Sequence, residues 1–140
     1  MNRIITILTF ASFVFVLNSC KKNLDKTLFG TWTVTKVEGT YNANGSSIFT
    51  AEDVNPTGFV RFDNNGRGEQ DYSFTFVGTV YTQQSEFSWE ANEDEIIINR
   101  VSEPDMIWVR VVDTENKQVA SYNVVVNANE NWDYTLTLEK

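Results

Sequence analysis

The chain of 140 residues carries 19 acidic and 11 basic side chains, a formal charge of −8, with no histidine and a single cysteine. The missing histidine excludes Ser-His-Asp triads, Cys-His pairs and HExxH zinc sites, and one cysteine excludes a disulfide within the chain. The acidic balance disfavours nucleic acid and anionic membrane surface as partners, while ten Phe, four Trp and five Tyr supply the apolar mass for one packed domain.

The N-terminus has three parts: a basic Arg3, an apolar run from Ile4 to Leu17, and a polar exit, Asn18-Ser19-Cys20. At about 1.5 Å per residue a helix of that length falls short of a hydrocarbon core of roughly 30 Å. Residues 1–19 therefore read as a secretory signal. Leu17-Asn18-Ser19-Cys20 resembles the lipobox of bacterial lipoproteins, with Leu17 and Ser19 matching and Asn18 a less usual middle residue. The resemblance implies that Cys20 carries a thioether-linked diacylglycerol and becomes the palmitate-bearing first residue of the mature protein. Residues 20–27 form a short tether that includes Lys21, Lys22 and Lys26. In the Bacteroidetes group, whose lipoproteins the chain resembles in style, surface export goes with an acidic run after the cysteine. None is present, so the expected location is the outer membrane, facing the periplasm.

From Thr31 onward apolar residues recur at every second position, the period of a strand. Trp32 and Val34 come first. The segment from Gly39 to Gly58 is polar, interrupted by Gly45 and Pro56, and reads as one long irregular connection with a short strand at Ile48 to Thr50. Val60 and Phe62 follow, then the turn Asp63-Asn64-Asn65-Gly66, then Tyr72, Phe74 and Phe76. Phe87 and Trp89, Ile96 and Ile98, and Ile107, Val109 and Val111 continue the pattern, with turns at 91–94 and 114–117. Tyr122, Val124 and Val126 precede a polar tip at 127–131, and Trp132, Tyr134, Leu136 and Leu138 close the series. Consecutive strands with short turns predict an all-β fold, a small antiparallel up-and-down β-barrel of about eight strands over residues 28–140, with a Greek-key sandwich as the competitor.

The first strand favours the barrel. LFGTWTVTKVEG resembles the opening of lipocalin-like domains, in which a Gly-x-Trp, here Gly30-Thr31-Trp32, lays the indole across the barrel floor. GFVRFDNNGRG, FSWEANEDEIIIN and YTLTLEK share the cadence of small lipocalin-like bacterial lipoproteins. The large lipocalins also carry a Thr-Asp-Tyr turn and a late Arg over the indole. This chain has Asp133-Tyr134 only within its last strand and no Arg after Arg110, so the pockets of the large lipocalins do not carry over.

Candidate chemistry is sparse. Asp63 to Glu69 lacks the flanking helices and twelfth-position Glu of a calcium loop and reads as a hairpin. Glu93-Asp94-Glu95 reads as a solvated turn, and Glu86, Ser88 and Glu90 as an outward polar face. Neither metal nor cofactor is expected, and no enzymatic activity. Arg61 and Arg110 each interrupt an apolar strand; pointing inward, either would bind a ligand carboxylate, and pointing outward it would stack on an aromatic ring or pair with a cross-strand Glu. The leading expectation is a non-enzymatic, lipid-anchored envelope protein that binds a small apolar molecule among Trp32, Phe62, Phe74, Phe76 and Trp89. The alternative is a scaffold that docks another envelope protein, its barrel filled by its own side chains.

Overall fold

The alternation of apolar and polar residues becomes nine strands among the residues, 24–140, that the computed structural model describes. Residues 1–19 and Cys20 lie outside them. A single 3-10 turn, Lys26–Leu28, precedes β1 (Gly30–Ala43), β2 (Ser46–Asp53), β3 (Thr57–Phe62), β4 (Arg67–Phe76) and β5 (Thr79–Ala91). Then follow β6 (Glu95–Arg100), β7 (Met106–Asp113), β8 (Lys117–Asn127) and β9 (Glu130–Glu139). From β3 onward each strand pairs antiparallel with the next, and β9 returns to β1, from Thr33 opposite Glu139 to Ala43 opposite Glu130. β2 and β3 share one place beside β1: β3 takes Gly30–Thr33 and β2 takes Val37–Ala43. Nine strands thus fill eight positions of a closed up-and-down barrel, the all-β architecture expected from the sequence.

Two local expectations are corrected. Most of the supposed irregular connection between Gly39 and Gly58 is strand: β1 runs on to Ala43 and β2 starts at Ser46. Asn44-Gly45 makes the hairpin, with φ of 51° and 75°, values an Asn-Gly pair tolerates better than most. The composition of the segment masked the pairing of Tyr41 with Phe49 and of Gly39 with Ala51. On β7 the apolar residues that read as the inward face, Ile107, Val109 and Val111, point out to solvent, whereas Met106 and Trp108 are buried. Both faces of that strand carry apolar residues, so alternation alone does not orient it.

The barrel wall is uneven. β6 pairs with β5 only along Phe87–Ala91, so Thr79–Glu86 of β5 rises beyond it. β7 pairs with β8 between Val109 and Asp113, leaving Tyr122–Asn127 of β8 without that neighbour. The short β6–β7 hairpin therefore leaves a notch on one side of the mouth, opposite the end that the buried Trp32 closes.

Candidate functional site

The closed end is built around Trp32, which is fully buried and donates its indole N–H to the Leu28 carbonyl at 2.7 Å. Lys140 Nζ lies 4.2 Å from the centre of the same ring. It also donates to the carbonyls of Phe29 (2.9 Å) and Thr27 (3.3 Å). A terminal lysine thus lies where the sequence offered no late arginine, a role hidden because it depends on the last strand returning beside the first. Phe62 meets Trp89 edge-on at 5.1 Å, and Trp89 donates to the Arg67 carbonyl at 2.8 Å. Trp32, Phe62 and Trp89 are each 0 % exposed, so these three expected ligand contacts form a packed floor.

The two arginines part company. Arg61 points outward from β3 and pairs with Glu69 (3.0 Å) and Asp63 (3.2 Å) beside an outer concavity of about 580 Å³ of mixed charge. It is therefore no part of the interior. Arg110 points inward with its side chain 1 % exposed, and its guanidinium is already engaged by Asp25 and Asp113. It also donates to the Asn92 carbonyl at 2.8 Å and to Gln118 Oε1 at 3.3 Å. Asp25 in turn accepts from the Thr27 N–H at 2.9 Å. Burial alone would push the Asp25 carboxyl up, but the hydrogen bonds from Arg110 and Thr27 outweigh it and hold the group below its ordinary value. The arginine that entered the barrel is thereby a clamp on the N-terminal segment.

The remaining expected contacts, Phe74 and Phe76, lie at the open end in a larger assembly of rings. Phe76 stacks near-parallel on Trp132 (6.0 Å, 26°) and on Tyr134 (6.4 Å, 13°), and Phe74 stacks on Tyr81 (5.3 Å, 15°). Tyr134 joins Tyr122 at 5.3 Å, and Tyr122 joins Trp108 at 5.6 Å, so one column of rings runs from the mouth into the core. Gly39 makes room for it: a methyl group at that position would come within 2.4 Å of the Phe76 ring. The hydroxyls of Tyr72 and Tyr122 meet at 3.2 Å, and burial pushes both phenols well above the ordinary value, which keeps them protonated. Tyr81, Trp132 and Tyr134 are only half-buried and Phe49 is exposed.

Where β7 and β8 separate, a crevice of about 340 Å³ lies between Ile107 and Val109 on one side and Tyr122 and Tyr134 on the other. It brings the outer surface to the ring column through the notch. The sequence showed the aromatic residues but not this opening, which depends on how far β6 and β7 reach.

No family model and no curated protein matches the chain. Among solved structures, a bovine odorant-binding protein deswapped triple mutant is 13% identical over 81% of this chain and 74% of that one, with a TM-score of 0.49. Bovine odorant-binding protein complexed with its natural ligand is 16% identical over 86% and 74%, again at 0.49. Lobster apocrustacyanin A1 is 10% identical over 81% and 61%, at 0.42. Likeness at this level assigns neither ligand nor activity to this chain; it ranks below the hydrogen-bonded closure of β1 on β9 as a description of the fold.

Proposed function

We propose that the protein is a lipid-anchored, non-enzymatic barrel of the cell envelope that binds a small apolar molecule at its open end. The observation that carries the binding site is the crevice at the notch, where the half-buried Tyr134 ring, the buried Tyr122 and two exposed β-branched side chains, Ile107 and Val109, lie together. Ligand pockets of this kind combine apolar walls with a few polar groups, here Ser121, Asn123 and Asp133 at the crevice edge. The closed floor leaves Trp32, Phe62 and Trp89 with a supporting role, as burial does Phe74 and Phe76, and Tyr122 and Tyr134 are the rings against which a ligand in the crevice packs.

The domain of residues 24–140 should bind the neutral fluorophore N-phenyl-1-naphthylamine saturably, near one molecule per chain. Val109→Trp, an exposed position on the crevice wall, should weaken that binding about tenfold by filling the space without lowering the melting temperature. Unsaturable binding, or binding unaffected by the tryptophan, would move the site elsewhere. A second reading, a scaffold that docks an envelope protein, is favoured by the completely buried floor; it predicts no saturable probe site at all.

The anchor rests on the resemblance of Leu17–Cys20 to a lipobox, and with it the location at the periplasmic face of the outer membrane. Cys20→Ala should abolish palmitate labelling and release the protein from the membrane fraction, since acyl chains contribute about 0.8 kcal/mol per buried CH₂. An unlabelled variant still sedimenting with membranes would rule the anchor out.

A further inference from the structure

We propose that the Asp25–Arg110 clamp sets how the barrel stands on the membrane that carries the anchor, closed end towards the bilayer and mouth away from it, so that a ligand exchanges with the aqueous side. This rests on the lipid-anchor reading of Cys20. Several independent contacts fix the N-terminal segment at the closed end. Leu28 is fully buried there, Leu24 packs against the core, and Asp25 is bound by Arg110, whose guanidinium also reaches the Asn92 carbonyl and Asp113. Lys140 donates its ammonium to the carbonyls of Thr27 and Phe29 and its backbone N–H to the Asn116 carbonyl. The β5–β6 turn, the β7–β8 turn and the last residue thus meet around one segment, Leu24 to Phe29.

Chain length turns that fixed segment into an orientation. From Leu24 back to Cys20 the chain has four Cα steps, at most about 14 Å even fully extended. The eleven residues of β8 run from the closed end to the mouth, about 36 Å of strand, of which a barrel tilt of about 40° leaves about 27 Å along the axis. For the mouth to face the bilayer, the segment held at the far end would have to stand about 27 Å from the lipid, about twice the reach of the tether. Charge does not make this choice, since exposed Lys26 and Lys117 share the closed end with exposed Glu93, Asp94 and Glu115. Covalent length does. Were Leu24 and Asp25 released, the next fully buried point would be Leu28, eight Cα steps from Cys20 and about 29 Å of extended chain, enough to match the barrel height. The clamp therefore about halves the reach of the tether, and the half-buried rings of Tyr81, Trp132 and Tyr134 at the mouth are turned from lipid towards water.

The full lipoprotein, purified in detergent and reconstituted into phosphatidylethanolamine–phosphatidylcholine vesicles, tests this with a fluorophore at Glu115→Cys or at Ala128→Cys. Both positions are exposed, the first in the β7–β8 turn at the closed end and the second in the β8–β9 turn at the mouth. Headgroup spin-labelled lipid should quench the label at 115 at least threefold more than the label at 128. Equal quenching in protein that floats with the vesicles, or stronger quenching at 128, would overturn the orientation while leaving the anchor intact. Failure of both proteins to float would instead overturn the anchor, and the orientation with it. Two further variants separate the tether from other causes. Inserting about twelve Gly and Ser residues between Lys22 and Asn23 lengthens the tether without touching the described fold. Leu24→Gly with Asp25→Ala frees the clamped segment while leaving Arg110 its pairing with Asp113. Each should bring the quenching ratio towards one in protein that still floats; an unchanged ratio in either would also count against the proposal.

Discussion

Trp32→Ala is expected to lower the unfolding free energy by about 3–5 kcal/mol, the range for truncating a large aromatic side chain in a packed core. The residue is fully buried, its indole N–H satisfies the Leu28 carbonyl, and Lys140 lies over its ring. Removing it leaves a void at the point where the first strand, the N-terminal turn and the last residue meet. The carbonyl of Leu28 also loses its partner. A urea titration followed by the far-ultraviolet signal reads the loss directly. A midpoint within error of the wild type would mean that the indole does not support the floor.

Arg110→Met should cost about 3 kcal/mol, near the low end for breaking a buried charge pair because Asp25 and Asp113 each keep part of their surface in water. The pH dependence separates the clamp from simple loss of packing. Asp25 is held below its ordinary value of 3.8, and a carboxylate depressed in the folded state adds stability above its unfolded value. That contribution is lost as pH falls through the folded value. The gap in stability between wild type and variant should therefore be fully open at neutral pH and narrow below about pH 4, measured by the urea midpoint at each pH. A gap independent of pH would assign the effect to the lost hydrogen bonds to the Asn92 carbonyl and Gln118 rather than to the charge pair.

The sequence disclosed the strands whose two faces differ in chemistry and concealed those whose faces do not. Tyr72, Phe74 and Phe76 alternate with Ser73 and Thr75, and Leu136 and Leu138 alternate with threonines, so their inward faces could be read directly. β7 reads MIWVRVVD, apolar on either side, and its inward set could be fixed only by its neighbours' register. β2 failed for a different reason: most of its side chains are exposed, which is the composition of a loop, and its strand character comes from hydrogen bonding to β1. For the site, the aromatic supply was visible and its division into a closed floor and a ring column that reaches the surface at Tyr81, Trp132 and Tyr134 was not. That division is set by strand lengths and by where partners stop pairing, quantities that no local pattern encodes. The pairing of Arg110 with Asp25 joins residues 85 positions apart and leaves no spacing to recognise.

Closure of β1 on β9 also sets an order of events during biogenesis. Thr35 donates to the Thr137 carbonyl across 102 positions of sequence, and every contact along this seam is similarly remote. The first strand must therefore wait for the last, and all-β chains dominated by such distant contacts fold in milliseconds to seconds rather than microseconds. Under the proposed export, a chain emerging N-terminus first keeps one edge of β1 unpaired until β9 has followed it, with Trp32 and Val34 facing no completed interior. Export in an unfolded state is thus compatible with this topology, because nothing can close prematurely, and the same interval is when the exposed edge most needs a holding chaperone.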